Sequence, residues 1–326
     1  MSTWKLSLFS AFVVMLGMQM FGQELPPGVT ADDLANNNKL FIELATKALH
    51  WDEPTEPVKI AGPLYFVGTR GLGSWLFVTS EGIILLNTGT PKSGPLIVES
   101  IRKLGFKPED IKVIINGHGH SDHAGAFAYM KEKTGAQIAI MEPDVAMVED
   151  GGKSDFHYGK DWQVMGQPPV KVDRVLRSGD VVRLGEVVLT GYNTPGHTRG
   201  ATTWVTTVLD GGKAYKIVFP DGAGFNPGYQ IANPQEYPGI NEDYRNTLHF
   251  LENLHPDIWL AHHTEYFNLE GKRQRAATEG IAAWVDPEGY RQWVASKRRA
   301  FEDEVDKEMG VKKHAAAGVS PTKSVK

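Results

Sequence analysis

The stretch Asn116-Gly117-His118-Gly119-His120-Ser121-Asp122-His123-Ala124-Gly125 constrains this chain more than any other segment. It follows an apolar run, Ile111–Ile115, that reads as a buried strand, and it leads into a helical segment, Ala124–Lys133. Where a chain leaves a strand in extended form, residues two apart point the same way, so His118 and His120 can grip one metal ion. The turn into the helix then aims Asp122 and His123 at a neighbouring point, which gives two metal positions close together. Gly117, Gly119 and Gly125 remove side chains where the backbone must pass near such ions. A lone HxH pair is more often a solvated surface turn. HxHxDH at the carboxyl end of a buried strand reads as a metal site.

Further ligands must come from elsewhere and must be nitrogen or oxygen, because the 326 residues include no cysteine. That absence also excludes disulfides, a redox CxxC and a cysteine nucleophile. Pro195-Gly196-His197-Thr198-Arg199-Gly200 places a histidine in a tight turn between two strands. Leu260-Ala261-His262-His263 puts two more at a strand end, where one of them faces the site. His118, His120 and His197 can then form one site, and Asp122, His123 and His263 a second. Both leave room for water, the pattern of catalytic rather than structural zinc. His157 lies in a Gly- and Pro-rich loop, Asp150–Pro169, and is a candidate substrate contact. His50, His249, His255 and His314 need no such role.

The remaining pattern is that of one continuous domain. Leu64–Gly68, Trp75–Thr79, Gly82–Leu86, Gln137–Met141, Val181–Thr190, Thr202–Val208, Lys216–Phe219 and Asp257–Ala261 read as strands. Helices are expected at Ala31–His50, opened by a capping box of Thr30 and Asp33, at Pro95–Leu104, at Asn241–Leu254 and after Asp286-Pro287. Many strands with helices at the flanks suggest mixed α/β sheets packed face to face, with helices outside. Lys5 followed by apolar Leu6–Phe21 and small Gly22 reads as a signal peptide over residues 1–22. The catalytic domain is then residues 23–308, and residues 309–326 are too poor in apolar surface to pack. An exported protein, periplasmic or secreted, is expected, with no stable membrane association after cleavage. Net charge is −5, and losing residues 1–22 removes one lysine and no acid, giving −6. That balance opposes a nucleic-acid partner and fits a small-molecule substrate.

HxHxDH, PGHTxG and the late strand-end histidine together resemble the metallo-β-lactamase superfamily, over nearly all of the chain after residue 22. Class B3 enzymes are most similar, since the other two β-lactamase classes of this fold use a cysteine ligand. Phe66-Val67-Gly68-Thr69, Gly151–Gly159, Pro227-Gly228-Tyr229-Gln230, Glu242-Asp243-Tyr244-Arg245 and Asp286–Tyr290 are similar to class B3 sequences as well. The resemblance implies a four-layer αββα sandwich and two zinc ions. His118, His120 and His197 would hold the first ion, and Asp122, His123 and His263 the second. His263 is preferred to His262 because the Thr-Glu-Tyr-Phe that follows it fits the family. The implied activity is opening of the β-lactam ring of penicillins, cephalosporins and carbapenems. Zinc lowers the pKa of its water from about 9 to about 7, supplying hydroxide at neutral pH, with Asp122 orienting the nucleophile.

Two departures bear on this. The family has aspartate where this chain has Asn87, a support whose loss typically costs about 10–100-fold in affinity or activity. It also carries two serines near the second zinc and the substrate carboxylate, where this chain has Gly222 and Gly224 in Asp221-Gly222-Ala223-Gly224. In lactonases and glyoxalase II-like members, an aspartate at the Asp221 position bridges the two metals; otherwise Asp221 orients the ligands. An N-acyl-homoserine lactonase or other ester hydrolase is therefore the enzymatic alternative. A zinc-binding structural module is the non-enzymatic one.

Overall fold

The computed structural model describes residues 28–311. The expected signal peptide, and the expected tail beyond residue 311, lie outside those residues. Two sheets account for the strands. The first has seven, in the order β1 (Val58–Ala61), β2 (Leu64–Phe66), β3 (Trp75–Thr79), β4 (Gly82–Leu86), β5 (Ile111–Ile115), β6 (Gln137–Met141) and β7 (Arg174–Leu176). Pairing is antiparallel from β1 to β4 and parallel from β4 to β7. The second sheet holds β8 (Val181–Leu184), β9 (Val187–Asn193), β10 (Thr202–Asp210), β11 (Lys213–Phe219) and β12 (Ile258–Trp259), antiparallel except for β11 with β12.

Alternation along the strands explains the layers. In β4, Ile84 and Leu86 enter the core that the two sheets share, while Ile83 and Leu85 join a second core with Ile97, Ile101, Phe127 and Met130. Those last four belong to α3 (Ser93–Lys103) and α4 (Phe127–Thr134), which cover the outer face of the first sheet. Burial on both faces is why β4 and β5 are nearly unbroken apolar runs. Across the sandwich, Trp75 and Phe77 meet Phe219 at ring distances of 5.5 and 5.8 Å. Tyr244 and Leu248 of α7 (Ile240–Glu252), with Tyr290 and Phe301 of α9 (Pro287–Glu308), pack against the second sheet. The four-layer expectation holds. Among the described residues no helix is long and apolar enough to cross a membrane.

Four local expectations change. The helix read over Ala31–His50 is two, α1 (Ala31–Asn36) and α2 (Asn38–Ala48), because the Asn37 side chain accepts from Leu40 N and caps a new start. Val181–Thr190 is a hairpin, its two strands joined through Gly185 at φ +51°, a conformation that glycine adopts without steric penalty. The helix read from Ala124 begins at Phe127. The loop read from Asp150 to Pro169, which follows α5 (Val145–Asp150), contains a 3-10 turn at Gly159–Asp161 and α6 (Trp162–Met165). The capping box at Thr30 and Asp33, and the Asp286 cap of α9, are present.

Candidate metal centre

The parallel strands β4, β5 and β6 end at one edge of the sandwich, where ligands gather in open α/β sheets. Asn87 follows β4, the histidine loop follows β5, and Asp144 lies just beyond β6. The second sheet brings its own loops to the same edge: the β9–β10 turn with His197, Asp221 after β11, and His262-His263 after β12.

Backbone contacts lock these loops together. Gly117 O accepts from Thr202 N at 2.6 Å, and Asn116 O from Trp204 Nε1 at 2.7 Å. Asp144 joins the two histidine loops, accepting from Gly119 N at 2.9 Å, Thr198 Oγ1 at 2.7 Å and Gly200 N at 2.7 Å. The chain after β12 pairs with the segment before β3 through Gly73 N to His262 O at 2.8 Å and a bridge between Leu72 and His263.

Two overlapping groups could each hold a cation: His118, His120 and His197, and His118, Asp122 and His123, with ligand atoms within 4.8 Å of one another. His263 joins the second group, its Nε2 3.5 Å from Asp122 Oδ2, while His123 Nε2 is 3.1 Å from the same oxygen. The structure thus brings all six expected ligands to one place. His262 turns away from them, towards Asn87 and Asp221.

In the first group the outer nitrogen of each ring is engaged. His118 Nδ1 donates to Asp221 Oδ2 at 2.8 Å, His120 Nε2 to Asp155 Oδ2 at 3.0 Å, and His197 Nδ1 to Gly224 O at 3.0 Å. The inner nitrogens are left bare. His118 Nε2 is buried without a hydrogen-bond partner, and His120 Nδ1 and His197 Nε2 face each other at 3.1 Å. Two bare nitrogens tolerate that approach only with a proton or a cation between them. A buried acceptor without a partner is otherwise costly, so the donor set fits a metal ion. Both nitrogens of His123, also buried, lack an aligned hydrogen bond, although Nε2 lies 3.1 Å from Asp122 Oδ2.

The electrostatics agree. Burial, then the nearby His123, His197 and His120, hold His118 well below the usual histidine range. Burial and His120 push His197 down to about 3, and burial and His123 push His263 to about 4. Burial would raise Asp122, but His123, His263 and His118 outweigh it and hold the carboxyl well below its usual range. Neutral His118, His197 and His263 and an ionised Asp122 are forms that bind zinc, whereas His120 departs from them: burial would lower its ring, but Asp155 outweighs burial and holds it above the usual histidine range. Beside them lies a cleft of about 500 Å³, lined by Ile42, Thr46, Trp51, Ser121, Asp122 and Val164 among others.

Some expectations are refined. Asp221 belongs to neither group, and its Oδ2 stands behind His118, accepting from Nδ1 at 2.8 Å. His157 is packed between Tyr158 and Tyr229, at ring distances of 4.5 and 4.7 Å, and belongs to neither ligand group. Asp155, within the Gly151–Gly159 stretch that is similar to class B3 sequences, supports His120, a role the sequence did not assign, and Asp144 supports the histidine loops from a position the sequence did not single out, since an isolated aspartate forms no pattern. Tyr229, in the Pro227–Gln230 stretch that is similar to class B3 sequences, donates its hydroxyl to His197 O at 2.9 Å, a contact that the sequence alone did not assign.

The sequence profile of the metallo-beta-lactamase superfamily matches residues 68–263, more than half of the chain. The chain belongs to the metallo-beta-lactamase superfamily. It is similar to the FEZ-1 metallo-beta-lactamase of Legionella gormanii, with 40% identity, 79% of this chain and 98% of that one covered, and a TM-score of 0.77. It is also similar to LRA-12, a class B3 di-zinc metallo-beta-lactamase from an Alaskan soil metagenome, with 32% identity, 78% and 96% covered, and a TM-score of 0.74. A probable metallo-hydrolase of Burkholderia pseudomallei is 31% identical over 124 residues, 36% of this chain and 40% of the relative. The chain thus spans about two fifths of that curated relative. These likenesses place it among the hydrolases of the metallo-beta-lactamase superfamily, beside class B3 structures.

Proposed function

We propose that the protein is an exported class B3 metallo-β-lactamase that holds two zinc ions and opens the β-lactam ring of penicillins, cephalosporins and carbapenems. The observation that carries this reading is the convergence of six ligand side chains, with bare nitrogens inside and the first three rings anchored outside. His118, His120 and His197 would hold the first ion, and Asp122, His123 and His263 the second. Zinc in such sites supplies Lewis acidity towards water and towards a carbonyl oxygen.

The chain's own part follows from position. Asp122 lines the cleft and is ionised, so its carboxylate can accept a hydrogen bond from the attacking water and orient it; the proton that this water gives up to the carboxylate would pass on to the leaving nitrogen. The apolar walls at Ile42, Trp51 and Val164 would exclude water from the substrate's side group. Ring strain in a four-membered lactam removes the need for a covalent enzyme intermediate.

The direct test is hydrolysis of a penicillin and a carbapenem by the purified protein, with and without a chelator. Absence of turnover of both by zinc-loaded protein would refute the assignment. A second reading, hydrolysis of N-acyl-homoserine lactones or other esters, is favoured by Gly222 and Gly224. No serine can stand at Gly222, because a Cβ there would run into the Thr194 carbonyl. Lactone turnover without lactam turnover would select that reading.

A further inference from the structure

Asn87 directly follows β4, with φ 65°, and is fully buried. A backbone N–H can only donate, and that of Gly117 reaches Asn87 Oδ1 at 2.9 Å. The other end of the amide is therefore its NH2 group. One of its hydrogens serves Gly73 O, at 3.3 Å, and the other faces His262 Nδ1, at 2.7 Å. An amide NH2 offers no lone pair, so His262 Nδ1 must accept and the ring proton must sit on Nε2. That nitrogen lies 3.3 Å from Asp221 Oδ2, an electrostatic contact rather than an aligned hydrogen bond. The same oxygen takes the His118 Nδ1 proton at 2.8 Å, while Gly222 N occupies Oδ1 at 2.6 Å. The backbone at Gly117 closes over this junction, since a Cβ there would run into both Asp221 Oδ2 and His262 Nε2.

We propose that His262 is a positioning residue for the first metal cluster and that Asn87 is its matched partner: together they fix Asp221 so that His118 keeps its proton on Nδ1 and offers Nε2 to the ion. This rests on the reading of His118 as a zinc ligand. Each link in the series has one direction, from Gly117 N–H through Asn87 and His262 to Asp221. Aspartate at position 87 would still accept from Gly117, but it would call for a proton on His262 Nδ1. A singly protonated ring would then turn a bare Nε2 towards Asp221, setting two acceptors against each other at 3.3 Å. Asparagine in place of the family's aspartate is thus the residue that suits a histidine at position 262.

Imidazole nitrogen NMR on the metal-free protein, with zinc affinity measured by competition against a chromophoric chelator, tests this. In the wild type, His262 carries its proton on Nε2 and His118 on Nδ1. His262→Ala raises the dissociation constant of the tighter zinc about 10–100-fold, the range typical for removing an outer support of a ligand. His262→Gln, whose amide can accept from Asn87 and donate to Asp221, restores most of that loss. Asn87→Asp, nearly equal in volume, moves a proton onto His262 Nδ1. The proposal is overturned if wild-type His262 is protonated on Nδ1 alone, if folded His262→Ala binds zinc like the wild type, or if the Gln and Ala variants lose equally. Should the Ala variant not fold, the ring-proton position in the wild type and in Asn87→Asp still decides it. Failure of the wild type to take up zinc would count against the proposed function instead, and the metal-free proton assignments would stand apart from that.

Discussion

His118, His120 and His197 rest their outer ring nitrogens on Asp221, Asp155 and the Gly224 carbonyl. His123 and His263 have no such outer rest among the described residues: His123 Nδ1 lacks a hydrogen-bond partner while its Nε2 faces the ligand Asp122 at 3.1 Å, and the nearest carboxylate oxygen to His263 Nδ1, on Glu265, is 4.0 Å away. The first half of the centre has its ligands aimed before any ion arrives. The second half is held mainly by Asp122, itself one of the ligands. Preorganised donors bind more tightly, because less ordering remains to be done on binding. The two halves are therefore expected to differ in affinity, the three-histidine half being the stronger.

The largest effect should come from His118→Ala, since His118 belongs to both ligand groups. Lactam hydrolysis should fall to background and tight zinc binding should vanish, as metal analysis after dialysis would show. His263→Ala should instead retain one tightly held ion. Equal losses in the two variants would break the comparison. Asp155→Asn tests the anchoring directly. Asp155 Oδ1 accepts from His157 N at 2.8 Å and Tyr158 N at 2.5 Å, so the new NH2 group would face His120 Nε2 and push the ring proton to Nδ1, the nitrogen needed for metal. Zinc affinity at the first cluster should drop about 10–100-fold by chelator competition.

Asp144 carries a pH signature. Burial pushes its carboxyl up to about 6, against hydrogen bonds from Thr198, Gly119 and Gly200 that lower it. Its folded-state value thus lies above the unfolded value of 3.8. The stability it contributes is full below that value and is lost as pH rises through about 6. The difference of about two pKa units corresponds to on the order of 2–3 kcal/mol. Metal-free Asp144→Asn should show a flatter profile of stability between pH 4 and 6 than wild type in denaturant titrations. The smallest effect is expected for Gly224→Ser, because a Cβ there meets nothing within 4 Å and the carbonyl that anchors His197 is unchanged. Its stability should stay within about 0.5 kcal/mol of wild type by thermal melting. A larger loss would show that the anchor of His197 depends on backbone freedom at this glycine.

What the sequence made legible follows burial. Trp75–Thr79, Gly82–Leu86, Ile111–Ile115 and Gln137–Met141 were readable to the residue because apolar side chains fill these strands. The edge strands Val58–Ala61 and Arg174–Leu176 went unread: each is short and partly exposed, so neither alternation nor a run stands out. α8 (Leu269–Glu279) was hidden likewise, its sequence being mostly polar and only Leu269 and Lys272 buried. At the centre, the six inner side chains were legible because metal ligands have characteristic spacing. Asp144, the role of Asp155 and the link from Asn87 to His262 were not, since they depend on contacts between residues 25, 35 and 175 apart in sequence that only the folded chain brings together.

The ligands straddle the sandwich. His118, His120, Asp122 and His123 hang from the seven-stranded sheet, and His197 and His263 from the five-stranded one. No cysteine exists to tie these sheets covalently. Ions seated in the centre would clamp one sheet to the other, and because they bind the folded chain, they would raise its stability by mass action. The gain is about 2.7 kcal/mol when free metal stands at a hundred times its dissociation constant. The melting temperature would then serve as a gauge of zinc supply, and resistance to proteolysis would rise and fall with it.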